Sequence, residues 1–323
     1  MAVHKIGVLT SGGDTPGMNA AVRAAVRYAI YYDMEIYGIH RGYEGLIDGE
    51  FEKLDRRSVA DIMQRGGTAL RTARSERFMT PEGLERAARN LETYKINDLI
   101  VVGGNGSLTG ALILSQKYGI NVIGIPGTID NDLAYTDSTI GFDTALNTVL
   151  DAITRIRDTS SAHERTTIIE VMGRHCGDIA LYAGLTGGAE YVLVPEFESD
   201  INDICQKIME GVNAGKLHSI IIRAEGYPVS SLDLVNQVQE RTSREVKLVV
   251  LSYLQRGGSP TFRDRMLATE CGVMAVELIR DGEKNKAIGE KDGEVRAFDL
   301  EEALGEQREF RYDIYNAVDV LSK

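Results

Sequence analysis

Short apolar runs alternate with longer amphipathic stretches along nearly the whole chain. Residues 6–10, 35–39, 98–102 and 121–125 are compact apolar runs bounded by turn-forming residues, the pattern of strands buried on both faces. Residues 18–32, rich in alanine, and 108–118 read as helices. From Phe142 onward, Phe142, Leu146, Val149, Leu150, Ile153 and Ile156 mark one face of a helix that ends near residues 157–159. The alternation then restarts, with strands at 167–171, 191–194, 219–223 and 246–251 and helices at 178–185, 200–212, 231–241 and 264–280. That restart predicts a second α/β domain from about residue 142. Ser58-Val59-Ala60-Asp61 has the form of a capping box and predicts a short helix stopping at Gly66-Gly67, whereas 282–291 reads as polar and turn-rich.

A chain of 323 residues suits two α/β domains or one large one, and 43% hydrophobic with 26% charged residues is the balance of a globular protein in water. A net charge of −12 excludes a general nucleic-acid binder, so any phosphate site must be a local basic pocket. Cys176, Cys205 and Cys271 lie far apart with no CxxC pair, which suggests neither zinc nor a disulfide framework. No apolar run approaches the ~18 residues of a membrane span, and Met1 to Lys5 run straight into the first strand. These features predict a soluble cytoplasmic protein with no nucleic-acid or membrane partner. His4, His40, His163, His175 and His218 read as surface or satisfied core residues rather than metal ligands.

The candidate chemistry lies where strands end. Ser11-Gly12-Gly13-Asp14-Thr15-Pro16-Gly17 joins a strand to a helix, an order that can cradle phosphate and that equally fits a tight βα turn. Gly103-Gly104-Asn105-Gly106-Ser107 repeats the arrangement, and two such loops raise the odds of nucleotide binding above either alone. Arg71 and Arg74 follow Gly66-Gly67 and suit bidentate phosphate contact or a solvated face. Pro126-Gly127-Thr128-Ile129-Asp130-Asn131-Asp132 places two acids one residue apart after a strand: one could serve as a base while the other orients it or holds a metal, and a strand-capping Asx turn reads the same way. Met172-Gly173-Arg174 and Glu225 also end strands, and Gln255-Arg256-Gly257-Gly258-Ser259-Pro260 forms a basic glycine turn.

Taken in order, 11–19, 103–107, 126–132, 172–174 and 255–260 resemble the bacterial ATP-dependent 6-phosphofructokinase family across nearly the whole chain. The resemblance implies two Rossmann-like three-layer α/β domains with a crossing chain: an ATP-binding domain at 1–141, a fructose 6-phosphate domain at 142–254, a return to the first at 255–304, and a C-terminal segment at 305–323 packing on the second. It also implies a homotetramer whose active sites a neighbouring subunit completes. Asp130 is similar to the family's base on the sugar C1 hydroxyl, Thr128 to the residue bonding the transferring phosphoryl group, and Arg74 and Arg174 to the arginines around it. Gly13, Gly104, Gly106 and Ser107 would line ATP, with Arg74 and Asn105 beside it. Met172, Gly173, Glu225, Tyr253 and Arg256 would hold the sugar phosphate, joined by Arg165 and Lys247 from the neighbour. Asn105 would serve Mg²⁺, and Asp132 would contact the metal or the sugar. Arg23, Arg27, Arg56, Arg157, Glu190 and Lys216 match an allosteric site for a nucleoside diphosphate or phosphoenolpyruvate.

Several positions depart from the family pattern. Asn105 stands where an aspartate is usual, which keeps the shape and removes the charge that favours a metal. Tyr253 replaces a histidine, and Lys247 an arginine, so the bidentate fork is lost. Ala214 and Leu217 replace frequent lysines of the effector site. Gly106 and Gly127 lack the bulk typical of pyrophosphate-dependent relatives. The alternative readings are a catalytically weak sugar-phosphate sensor or regulatory homologue and, against Gly106 and Gly127, a pyrophosphate-dependent enzyme.

Overall fold

A computed structural model describes residues 3–322; Met1, Ala2 and Lys323, which the sequence reading put before the first strand and at the end of the C-terminal segment, lie outside the described residues. In chain order the elements are β1 (Lys5–Thr10), α1 (Met18–Tyr31), β2 (Glu35–Ile39), α2 (Gly42–Asp48), β3 (Phe51–Leu54), α3 (Pro81–Tyr94), β4 (Asp98–Gly103), α4 (Asn105–Tyr118) and β5 (Asn121–Pro126). They continue with α5 (Phe142–Ala162), β6 (Thr166–Val171), α6 (Asp178–Gly187), β7 (Tyr191–Leu193), α7 (Ile201–Asn213), β8 (Ser219–Ala224), α8 (Ser231–Thr242) and β9 (Val246–Val250). The chain closes with α9 (Phe262–Arg280), β10 (Lys286–Lys291), β11 (Glu294–Asp299), α10 (Leu300–Gly305) and α11 (Tyr312–Leu321). Two compact units result: one comprises the chain up to Ile129, Leu133–Thr144 and Arg256–Arg308, the other Asp130–Asp132, Ala145–Gln255 and the chain from Glu309 on.

The first unit is a seven-stranded sheet in the order β11-β10-β5-β4-β1-β2-β3. Its central strands run parallel, and β3 and β11 pair antiparallel at the edges. Alternate strand residues feed two cores. Ile6, Val8, Ile100, Val102, Ile123 and Ile125 pack with α1 and α9 on one face. Leu9, Leu99, Val101 and Val122 pack with α2, α3, α4 and α10 on the other. A strand buried on both sides leaves no polar face, which is why these runs read as continuously apolar. Between β1 and β4 the connections depart towards opposite edges, and at such a switch point the loops part to leave room for a ligand.

The second unit holds a four-stranded parallel sheet, β7-β8-β6-β9. Ile168, Leu193 and Ile221 from its strands bury Ile204, Cys205 and Ile208 of α7 and Leu234 and Val238 of α8. Asp200 and Ser230 cap those helices by accepting the N–H groups of Asn202 and Asp233.

Three sequence expectations change. Residues 58–67 form turns, not a helix: Oδ1 of Asp55 accepts the N–H groups of Arg57 and Ser58 at 2.7 and 2.8 Å, and Asp61 has a φ of 52°, outside the helical region. The polar stretch 282–291 contains β10, because Ala287 and Ile288 are fully buried while Lys286 and Lys291 are less so, and pairing with β5 and β11 satisfies the backbone. Asn105, Gly106 and Ser107 form the first turn of α4 rather than a loop before it.

Candidate active site

In the first unit, the ends of three strands bring together the loops in which a phosphate cradle is expected. Beyond β1 the backbone turns at Gly12, with φ of +87°, and Ser11 N–H donates to Val102 O at 3.0 Å, so this loop starts beside the end of β4. Ser107 Oγ donates to Ser11 Oγ at 3.0 Å and ties the two loops together. Gly104 lies beside Thr128, whose Cβ would be 3.4 Å from a methyl carbon on the glycine. A side chain at Gly106 would meet nothing within 4 Å, so the first turn of α4 opens to solvent there. The N–H groups of that turn and its positive dipole end suit an anion. Asn105 is exposed on the same turn.

Arg256 lies against Gly13: a Cβ on the glycine would come within 2.4 Å of Nη1, and the same nitrogen donates to Asp14 O at 3.4 Å. Arg74 is exposed, and its neighbours are pinned. Thr72 Oγ1 donates to Gly12 O at 2.8 Å, while Ser75 Oγ and Arg77 both reach Glu44. Tyr43, which no motif flags, donates its hydroxyl to Ser107 O at 2.5 Å and stacks on Phe78 with centroids 3.8 Å apart. Burial pushes the Tyr43 pKa far up, so it remains a donor.

The two-acid turn is divided between the units: Thr128 belongs to the first, and Asp130, Asn131 and Asp132 to the second. Asn131, at φ 52°, donates through Nδ2 to Asp178 Oδ2 at 3.0 Å, which anchors the turn to the start of α6. Asp130 and Asp132 flank this anchor, half-buried, each with its Oδ1 enclosed. The sequence marks the acids but not their support, because Asp178 is 47 residues further on.

Along the C-terminal edge of the four-stranded sheet, Met172 is buried and its N–H donates to Gln255 Oε1 at 3.1 Å. Gly173 and Glu225 follow β6 and β8, and Gly226 N–H donates to Gly173 O at 3.1 Å. Arg174, Glu225 and Tyr253 are exposed, free to meet a ligand in water. Arg165 and Lys247 do not join them. Arg165 precedes β6 and Lys247 is the second residue of β9, so both sit at the opposite edge, about 3.3 Å per strand residue away. Lys247 pairs with Glu245 at 2.6 Å, and its hydrogen bond draws that carboxyl below the usual range.

Arg157, Glu190 and Lys216 occupy that N-terminal edge too. Arg157 donates to the carbonyls of Gly187 and Gly188 and meets His218 Nε2 at 3.0 Å. Glu190 accepts the N–H of Ile220 at 2.6 Å and faces Lys216 at 3.7 Å. In the first unit, Arg23 and Arg27 share one face of α1, and Arg27 donates to Arg56 O at 3.4 Å. Burial, then the like charge of Arg27, holds the Arg23 pKa below its ordinary value. No group of three or more His, Cys, Asp or Glu able to hold a metal occurs among the described residues.

Comparison with known proteins gives this geometry a lineage. The phosphofructokinase family profile matches residues 5–279. An "ATP-dependent 6-phosphofructokinase" of Clostridium botulinum (strain Loch Maree / Type A3) is 51% identical over 321 residues, covering 99% of this chain and 100% of the relative. One of Clostridium acetobutylicum is 53% identical over 318 residues, covering 98% and 99%. A phosphofructokinase structure from Saccharomyces cerevisiae superposes with a TM-score of 0.89 at 33% identity, covering 99% of this chain and 48% of the yeast chain. At these identities, along essentially the full length of the bacterial relatives, the chain belongs to the ATP-dependent 6-phosphofructokinase family.

Proposed function

We propose that this protein transfers the γ-phosphoryl group of ATP to the C1 hydroxyl of fructose 6-phosphate, giving fructose 1,6-bisphosphate and ADP, as a glycolytic kinase of the cytoplasm. The observation that carries this reading is the turn after β5, where Asp130 and Asp132 flank a residue anchored on Asp178 and follow directly on Thr128. Asp130 acts as the base, aligning the sugar hydroxyl and taking its proton. Phosphoryl transfer needs mainly positioning and charge neutralisation. Thr128, Arg74 and Arg174 supply these around the moving group, while the Gly13 loop, Gly104, Gly106 and Ser107 hold ATP. Met172, Gly173, Glu225, Tyr253 and Arg256 hold the sugar phosphate.

Asn105 and Asp132 each carry an oxygen donor of the kind Mg²⁺ takes, and an ion that keeps several waters and binds through few protein ligands together with phosphates would need no more from either. The ion would neutralise phosphate charge. With Asn105 neutral, the ion would depend more on the charge of the ATP phosphates.

Residues 1–141 and 255–304 would form the ATP domain, and 142–254 and 305–323 the sugar-phosphate domain. The position of Arg165 and Lys247 at the edge of β6 and β9 away from Met172 supports a homotetramer in which they serve a neighbouring subunit's substrate. Arg157, Glu190 and Lys216 in the second unit, and Arg23, Arg27 and Arg56 in the first, are the groups proposed to meet a nucleoside diphosphate or phosphoenolpyruvate effector.

Incubating the purified protein with fructose 6-phosphate and either ATP or pyrophosphate, across a Mg²⁺ titration, tests the reading. Bisphosphate forms with ATP and not with pyrophosphate. Absence of product with ATP at every Mg²⁺ concentration would overturn it.

A further inference from the structure

Asp264, in the first turn of α9, is a fully buried charged side chain to which the mechanism above gives no task. Its Oδ1 accepts the N–H of Gly141 at 2.8 Å, and its Oδ2 accepts the N–H of Thr144 at 2.8 Å and the Thr144 hydroxyl at 2.5 Å. Thr144 Oγ1 accepts the N–H of Thr261 at 3.0 Å, and Thr261 caps α9 by accepting the N–H of Asp264 at 3.3 Å. One carboxylate therefore collects three donors from the segment entering α5. Such charge-assisted bonds are the stronger kind, and they offset the cost of burying the acid.

The segment held by Asp264 leads back to the phosphoryl-transfer turn. Ile140 N–H donates to Pro126 O at 2.9 Å, and Ile140 forms a parallel bridge with Gly127. Thr139 Oγ1 donates to Thr128 O at 2.6 Å. On its other flank, Thr15 Oγ1 donates to Ile140 O at 3.0 Å, which joins the same segment to the loop before α1. Gly141 permits this convergence: at φ +102° it bears no Cβ, and one there would lie 2.6 Å from Thr15 Cβ.

We propose that Asp264 is a positioning residue for phosphoryl transfer, fixing residues 139–144 and through them the Thr128 backbone and the Thr15 side of the nucleotide loop, without itself touching substrate. This rests on the phosphofructokinase reading of the site. Burial of the Asp264 carboxyl raises its pKa against the pull of its three donors, with the nearby Asp143 adding to the rise, as befits a group enclosed for structure rather than exposed to a ligand.

The test compares wild type with Asp264→Asn and Thr144→Val by steady-state kinetics and by amide hydrogen exchange at Ile140 and Gly141. Asp264→Asn turns an NH₂ group towards a donor. It lowers kcat by roughly 10- to 10²-fold, the scale of a misplaced reacting group. The KM for fructose 6-phosphate stays within about threefold, since the groups proposed to bind it are untouched, and exchange at the two amides accelerates. If that variant fails to fold, Thr144→Val gives a smaller loss of kcat and Thr144→Ser restores it. Wild-type kcat in a folded variant, or a loss confined to KM, overturns the proposal. An inactive wild type counts against the phosphofructokinase reading instead, and unchanged exchange at Ile140 and Gly141 in the variant then overturns the clamp on its own.

Discussion

The hydroxyls of Ser107 and Ser11 meet at 3.0 Å and join the loops beyond β4 and β1, where the strand order of the seven-stranded sheet turns back. Neither loop is a standard nucleotide fingerprint by spacing alone. Their pairing is what holds the two proposed anion-binding loops side by side. Ser107→Ala removes this tie, worth about 1 kcal/mol, and a hydroxyl beside the proposed phosphate path. The KM for ATP is expected to rise roughly five- to tenfold, with little change in the melting temperature. An unaltered KM for ATP would remove Ser107 from the nucleotide site.

Gly13 and Arg256 form a second such pair. In Gly13→Ala the new methyl group would stand 2.4 Å from Arg256 Nη1, so the guanidinium must move. It lies at the end of a flexible side chain, and the fold should tolerate the change. Steady-state kinetics should show a loss of roughly tenfold or more in kcat/KM, the scale of a misplaced phosphate contact. Retention of both full activity and substrate affinity would show that Arg256 has no part in binding.

Asn105 lies exposed in the first turn of α4, which contains no acidic residue. Asn105→Asp places a negative charge at the positive end of the helix dipole and beside the proposed metal, which should stabilise by about 0.3–1 kcal/mol before any metal binds. The Mg²⁺ concentration for half-maximal rate is expected to fall. An unchanged Mg²⁺ requirement would count against a metal role for this position.

His218 sits between Arg157 and Ser161, and burial, followed by the Arg157 charge, holds its pKa below the ordinary 6.5. The folded protein therefore binds this proton less readily than the unfolded chain. The stability that His218 contributes is present above its unfolded pKa and declines as pH falls from about 6.5 through the lower folded value. Melting curves from neutral to mildly acidic pH should show this loss, and His218→Gln should flatten it. Equal pH slopes in the two proteins would assign the acid sensitivity elsewhere.

The central parallel strands and most helices were legible because those strands are apolar on both faces, as Leu9 and Val8 show by feeding different cores, whereas β3, β10 and β11 carry too many polar residues to stand out. Helix α3 has a local start signal in Thr80, accepting the N–H of Gly83, and Pro81 at its first position, but its small buried face of Gly83, Leu84, Ala87, Ala88 and Leu91 makes little apolar run. The helix expected at 58–67 does not form because Asp55 engages both the N–H and the hydroxyl of Ser58 that the capping box needs. Among the candidate site residues, those on strand ends were legible from sequence order. Their supports, Tyr43 for Ser107, Asp178 for Asn131 and Gln255 for Met172, lie 47 to 83 residues away or carry no motif, and only the folded chain brings them in.

The most direct measurement of the central claim is the turnover of Asp130→Ser with ATP and fructose 6-phosphate at saturating Mg²⁺. Loss of a general base predicts a kcat lower by roughly 10²–10⁴-fold, with substrate still bound and the melting temperature near that of wild type. A kcat close to wild type would contradict the assignment of the Asp130 turn as the site of phosphoryl transfer.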